Sequence, residues 1–154
     1  MPKIDAAALP FVARGGYPPP HDKLVAGRAR KRLGDEAGLT QFGVNLTNLP
    51  PGAHSSLRHW HENQDEFVYV LEGELTLIED DGETILGPGD AAGFKAGVAN
   101  GHHLVNRSDR NALYLEIGSR TARERAHFVD ADLIAAADES GVRYTRRDGS
   151  PLSA

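Results

Sequence analysis

The sequence contains no cysteine among its 154 residues. Disulfides and thiolate metal ligands are therefore excluded, and any bound metal ion must be held by nitrogen and oxygen atoms. No apolar run approaches 18 residues, so no transmembrane helix is expected. Residues 1–10 lack the apolar core of a signal peptide. These absences predict a soluble, cytoplasmic protein.

The sequence also has fewer basic than acidic residues. The 17 lysines and arginines are outnumbered by 22 aspartates and glutamates, which gives a net charge of −5. Such a balance argues against nucleic acid or an anionic membrane as a partner. We interpret one basic cluster as a solvated strand face or the rim of a dimer interface: Arg28, Arg30, Lys31 and Arg32.

The chain length predicts a single domain. Residues 1–23 are rich in proline and glycine, which predicts an extended N-terminal arm without helix. It would either lie across a partner subunit or form a disordered tail. From 24 to 120, short apolar segments alternate with Gly/Pro turns, a pattern typical of a β-sandwich or barrel. We expect strands over 26–33, 39–49, 56–61, 66–71, 74–79, 83–86, 91–94, 102–106 and 112–117.

Residues 121–154 have a different composition and are expected to form a C-terminal extension. Within it, the alanine-rich segment 131–139 predicts a short helix packed on the barrel. Asp130 is placed to cap the start of that helix, and Gly141 follows its end.

The chemistry is carried by a short segment that contains His59, His61 and Glu66. Side chains two apart on a strand point to the same face, so both imidazoles can reach one ion. Glu66 opens the next strand after a four-residue loop. If it faces inward, the other side of that strand is also apolar, which predicts a strand buried on both faces. A buried lone carboxylate is costly, and a metal ion would be its partner.

A second histidine pair, His102 and His103, offers a third imidazole. Strand alternation directs His102 and Asn106 to one face and His103 to the other.

These residues resemble the motifs of the cupin superfamily. The first cupin motif is matched by His59-x-His61-x4-Glu66-x6-Gly73, although Gly52 lies one residue too far upstream for its leading glycine. The resemblance covers residues 43–118, about half of the chain.

The second cupin motif is matched in part. Gly82 and Pro88 fit its start, and His102-x3-Asn106 fits its end. Lys95 stands where the family has a proline, and two extra residues precede His102.

The resemblance implies an all-β fold, a double-stranded β-helix of the cupin or jelly-roll type, and a homodimer. It also implies that His59, His61, Glu66 and His102 bind one divalent transition metal ion. The ligand types admit Fe, Mn, Ni, Co or Zn without choosing among them. His103 and Asn106 are candidates to support these ligands from behind. The sequence indicates no catalytic residue beyond the ligands.

Fold does not choose function, so two hypotheses stay open. The first is a small metal-dependent enzyme of the dioxygenase, isomerase or lyase type, acting on a small organic substrate in the barrel. The second is a noncatalytic module that binds a small ligand, such as a sugar or an organic acid. A storage or structural role has little support from a short acidic chain.

Overall fold

The computed structural model describes residues 2–13 and 16–152. Met1, Arg14 and Gly15 of the predicted arm, and Ser153 and Ala154 of the predicted extension, lie outside these residues. Within the described ranges, helix is confined to a 3₁₀ turn at His21–Val25 and one turn of α-helix, α1, at Leu33–Glu36. The strands are β1 (Ala29–Arg32), β2 (Phe42–Leu49), β3 (His59–His61), β4 (Glu66–Glu72), β5 (Leu75–Glu79), β6 (Gly82–Leu86), β7 (Ala91–Phe94), β8 (His103–Val105), β9 (Ala112–Ser119), β10 (Glu124–Phe128), β11 (Ile134–Asp138) and β12 (Gly141–Thr145).

The strands form three sheets in which every pairing is antiparallel. A five-stranded sheet has the order β1-β2-β9-β4-β7, a four-stranded sheet β12-β11-β10-β3, and a three-stranded sheet β6-β5-β8. A backbone bridge between His59 and His102 joins the second and third sheets. The predicted all-β architecture is therefore confirmed.

The main core lies between the five-stranded and three-stranded sheets. Val70 and Tyr114 come from the first, and Leu75 and Leu104 come from the second; all four are buried. A smaller cluster beneath the four-stranded sheet is built around Leu57, Ala126, Phe128 and Leu133. The two clusters together close the space between the sheets, which is how a jelly-roll barrel buries its interior.

Strand β4 is buried on its inner face only. Val68 and Val70 are buried, as predicted. Phe67 and Tyr69 are 42% and 38% exposed. The expectation that β4 is buried on both faces is therefore wrong for a single copy of the chain. Its outer face is apolar but uncovered.

The predicted C-terminal helix is wrong, because residues 131–139 contribute strand β11 instead. Ala135 pairs with Ala126 of β10 on one side and with Tyr144 of β12 on the other. Small alanines fit between two neighbouring strands, and these pairings override helix propensity. Gly141 has a φ of +115° and closes the β11–β12 hairpin. Asp130, the expected cap, instead accepts a hydrogen bond from Arg58 Nε at 3.0 Å.

The N-terminal segment is attached to the barrel. Val12 forms a β-bridge with Arg30, and the 3₁₀ turn at His21–Val25 replaces part of the helix-free arm that the sequence predicted. The proposed domain boundaries at 23 and 120 remain predictions. None of the helices in the described residues is long and apolar enough to cross a membrane.

Candidate metal centre

Strand alternation brings His59 and His61 to one face of β3, with their ring centroids 4.9 Å apart. Glu66, the first residue of β4, lies opposite Gly118 of β9 and Phe94 of β7. The backbone bridge to His59 places His102 beside the pair. Three separate segments of the chain therefore meet at one point on the barrel wall.

The three imidazoles converge on the Glu66 carboxylate through their Nε2 atoms. Glu66 Oε1 lies 2.9 Å from His61 Nε2 and 3.4 Å from His59 Nε2. Glu66 Oε2 lies 2.5 Å from His102 Nε2. Ligand atoms of His59, His61 and Glu66 all lie within 4.8 Å of one another, a spacing that one metal ion can bridge. His102 approaches the other carboxylate oxygen.

The backbone fixes the orientation of two of these rings. His59 Nδ1 donates to the Leu57 carbonyl at 2.8 Å, and His102 Nδ1 donates to the Asn100 carbonyl at 3.1 Å. A carbonyl oxygen only accepts, so each Nδ1 carries the hydrogen, and in the neutral ring Nε2 presents a lone pair. Nε2 then faces a carboxylate oxygen, an acceptor opposite an acceptor. A cation between them would satisfy both, so this donor set fits a divalent transition metal ion.

The electrostatics of the cluster favour an ionised carboxylate. Burial alone would raise the pKa of Glu66. Where a proton on Nε2 stands in the place of a cation, hydrogen bonds from His102, His59 and His61 outweigh burial and hold that pKa well below its usual range. Burial would lower the pKa of His61, but the hydrogen bond and charge of Glu66 and the nearby charge of Glu124 raise it instead. Glu66 is therefore available as an anionic ligand at neutral pH.

The cluster opens onto a cavity of about 440 Å³. That volume lies within the range of small-molecule sites, near its lower end. His59, Glu66 and His102 line it, and so do two arginines of the basic cluster, Arg28 and Arg30. Arg28 is only 6% exposed, so the expectation of a solvated strand face is wrong for this residue.

Comparison with known proteins identifies the family. Residues 45–118 match the family model of the cupin domain. Over 99 residues the chain is 36% identical to a β-D-galactosidase of Mycobacterium tuberculosis, covering 63% of this chain and 78% of that protein. The chain belongs to the cupin superfamily.

Two solved structures are similar to this one. The chain is 50% identical to a cupin-superfamily sugar phosphate isomerase of Silicibacter pomeroyi, with a TM-score of 0.96 over 99% of this chain and 98% of that one. It is 27% identical to a candidate sugar phosphate isomerase of Acidithiobacillus ferrooxidans, with a TM-score of 0.75 over 82% and 81% of the two chains.

In this cupin the glycine of the first motif has a steric explanation. Gly73 has a φ of +81°, and a Cβ at this position would lie 2.7 Å from the Asn111 carbonyl oxygen. Any other residue would be strained and would also push β9 away from β4.

The two residues expected to support the ligands, His103 and Asn106, make hydrogen bonds of their own to backbone carbonyls. His103 Nδ1 donates to the Ser56 carbonyl at 2.9 Å, its ring centroid is 5.2 Å from that of His54, and burial lowers its pKa. The Asn106 amide donates to the carbonyls of Leu49 and Arg110. Asn106 therefore ties together two loops of the barrel, and support of the metal ligands by either residue remains a prediction.

The sequence did not indicate Glu124, which lies behind His61. The side chain of Glu124 is buried, and Oε1 is 3.7 Å from His61 Nδ1. Glu124 Oε1 also accepts the backbone N–H of Glu62 at 2.9 Å, and Oε2 accepts that of Asn63 at 3.1 Å. Glu124 thus fixes the loop between the ligands and places negative charge behind one of them, as carboxylates commonly do at metal-bound histidines.

Proposed function

We propose that this cupin is a metal-dependent isomerase of a small sugar phosphate. The observation that carries the proposal is the convergence of three imidazole Nε2 atoms on Glu66 at the wall of a cavity sized for one small molecule. The relative with 50% sequence identity, which is described as a sugar phosphate isomerase, supports the choice of this reaction among those that cupins perform. Location in the cytoplasm belongs to the same proposal.

His59, His61, Glu66 and His102 would hold one divalent ion of Fe, Mn, Ni, Co or Zn. A bound ion would supply a Lewis acid that polarises the substrate carbonyl. The low pKa of Glu66 suits a ligand that stays ionised and makes it a weak proton acceptor.

Aldose–ketose isomerisation needs no further reactant. One hydrogen moves between two neighbouring carbons and another moves between their oxygens, so substrate and product contain the same atoms at the same overall oxidation level. The task of the protein is then to fix the substrate beside the ligand cluster and to exclude competing reactions with water. A cavity beside the cluster with both charged and apolar residues in its wall suits that task.

The proposal is tested with a panel of aldose and ketose phosphates, from triose to hexose, and protein supplemented in turn with each of the five metals. We expect at least one pair to interconvert, as followed by proton NMR. His59→Ala purified in parallel is the control for contaminating isomerases. Stoichiometric metal and saturable binding of a sugar phosphate without interconversion would contradict the proposal and favour the noncatalytic ligand-binding alternative.

We also propose that two copies of the chain associate through the outer face of the five-stranded sheet. Phe67 lies opposite Ile117, and Tyr69 lies opposite Leu115, so an apolar surface continues across β4 and β9. The face continues onto β2 at Val44, which pairs with Ile117. A two-fold axis brings identical patches together, so an apolar face of this kind is self-complementary.

We expect the protein to have the mass of a dimer in light scattering at micromolar concentration and Phe67→Glu to have that of a monomer, because a charge at the centre of the contact would be buried. Ile85→Glu is the matched control, since Ile85 is 63% exposed on a different sheet. A monomeric mass for the unaltered protein would refute the dimer.

A further inference from the structure

The cavity carries a second group of charged residues on a part of its wall away from the metal ligands. Arg28 and Arg30 lie two residues apart, so both point to the inner face where β1 begins. Arg30 forms an ion pair with Glu116 of β9, and Nη2 is 3.3 Å from Glu116 Oε2. Asn45 Nδ2 donates to the other oxygen of Glu116 at 3.0 Å. All four side chains line the cavity.

This group is held in place before any ligand binds. The Arg28 guanidinium donates to the Ser55 carbonyl, and Arg28 is buried. The Arg30 and Glu116 side chains are 24% and 22% exposed. Positions fixed by packing and hydrogen bonds lose little entropy on binding, as expected of a built site.

The charges of the group do not balance. Glu116 is ion-paired with Arg30 and also exerts its charge on Arg28, so the three side chains carry one more positive than negative charge. Among the described residues of the cavity wall, Glu66 is the other carboxylate, and it is engaged by the three imidazoles. Burial and the neighbouring charge of Arg30 lower the pKa of Arg28. An anionic ligand group beside both guanidinium groups would favour their charged forms.

Arg120 also lines the cavity but does not belong to this group. Its Nη2 lies 2.5 Å from Asp35 Oδ1, and its Nη1 donates to the Leu39 carbonyl. Its ion pair sets one guanidinium against one carboxylate at the exposed rim, so it adds no net charge to the cavity wall.

The sheet register sets the distance between this group and the metal centre. Glu116 lies opposite Val68 on β4, and Val68 is two residues from Glu66. Two residues along a strand and one strand across correspond to about 8 Å between the Cα atoms of Glu66 and Glu116. A single small molecule can therefore contact both groups at once.

We infer that Arg28 and Arg30 form the subsite for the phosphate group of the substrate, while the sugar carbons lie beside Glu66. Guanidinium groups bind phosphate oxygens through paired hydrogen bonds, which an uncharged sugar hydroxyl cannot replace. The choice of phosphate as the anion rests on the proposed function. The presence of an anion subsite rests on the charges and geometry of the wall.

The test compares binding of D-ribose 5-phosphate and D-ribose, and of D-glucose 6-phosphate and D-glucose, to the full-length protein by isothermal titration calorimetry. We expect the phosphorylated member of at least one pair to bind more than about tenfold more tightly. Arg28→Gln should reduce that preference by about tenfold or more, because the three side chains then carry no excess positive charge.

Glu116→Gln provides a test whose expected result, tighter binding, cannot come from loss of folding. It removes the one negative charge and keeps an oxygen that can accept from Asn45, so the phosphorylated sugar should bind more tightly than to the unaltered protein. The double variant Arg30→Gln/Glu116→Gln should bind it more weakly than Glu116→Gln does, since one of the two guanidinium groups of the subsite is lost as well. Arg107→Gln, which breaks an exposed ion pair with Glu83, is the matched control and should have no effect.

The inference is overturned if both members of each pair bind equally, or if neither Arg28→Gln nor Glu116→Gln changes the preference in folded protein. Those outcomes leave the isomerase proposal standing if sugar phosphates are interconverted. A charge-dependent preference for the phosphorylated sugar without any interconversion supports the subsite and overturns the isomerase proposal instead.

Discussion

Replacing His59 with alanine is expected to abolish retention of a transition metal ion. The ring supplies one of three Nε2 atoms directed at Glu66, and the Leu57 carbonyl holds it in the tautomer that binds metal. Loss of residues that merely orient a ligand weakens metal affinity by about 10- to 100-fold, so loss of a ligand should exceed that. Elemental analysis of protein supplemented with Fe, Mn, Ni, Co or Zn and then dialysed measures the effect.

The matched control for this experiment is His127→Ala. The His127 ring stacks on Trp60 with centroids 4.3 Å apart, and its Nε2 contacts Glu62 at 2.7 Å. It belongs to the same sheet as His59 but lies on the other face of it, so metal content should not change. Equal metal content in His59→Ala and in the unaltered protein would refute the ligand assignment.

His102→Ala separates a three-ligand site from a four-ligand site. The compact group of ligand atoms consists of His59, His61 and Glu66, whereas His102 approaches the second oxygen of Glu66. We expect His102→Ala to lose metal as His59→Ala does. Full retention in His102→Ala alone would show that three residues hold the ion and that His102 only positions the carboxylate.

The cluster of His59, His61 and Glu66 could be predicted from the sequence because its geometry is mostly local. His59 and His61 share a strand, and Glu66 opens the next one, so alternation and a four-residue loop between two sheets place all three. His102 required the family motif, because a bridge between distant segments brings it into the cluster. Glu124 could not be predicted, because the strand that carries it was not recognised and only the pairing of β10 with β3 places it behind His61.

The C-terminal segment shows why local preference was misleading. Alanine favours helix when nothing else contacts it, but Ala135 lies in β11, a strand that pairs with β10 on one side and with β12 on the other. The basic cluster shows a similar limit. Lys31 faces outward over the Phe11 ring, whereas its neighbour Arg30 turns inward to Glu116, and composition alone does not separate the two faces.

Asn106→Ala is expected to lower the free energy of unfolding by about 3 kcal/mol, because it takes a donor from the carbonyl of buried Leu49 and removes the hydrogen bonds with Arg110 and Ser108 as well. The Asn106 amide donates to Leu49 O at 2.8 Å and to Arg110 O at 2.7 Å. Its oxygen accepts from the Ser108 backbone N–H and hydroxyl, and the residue is fully buried. Urea denaturation at equilibrium measures the free energy, and a scan should show a Tm lower by about 6–12 °C.

Asn111→Ala is the control, since Asn111 is exposed and such substitutions usually change stability by less than about 0.5 kcal/mol. Metal content then separates the two roles that Asn106 can have. If it only ties the loops at 49–53 and 106–110 together, folded Asn106→Ala retains the same metal content as the unaltered protein while unfolding more easily. Loss of metal at a temperature where the variant is fully folded would show that Asn106 holds the ligands in place, and unchanged stability would refute the structural role.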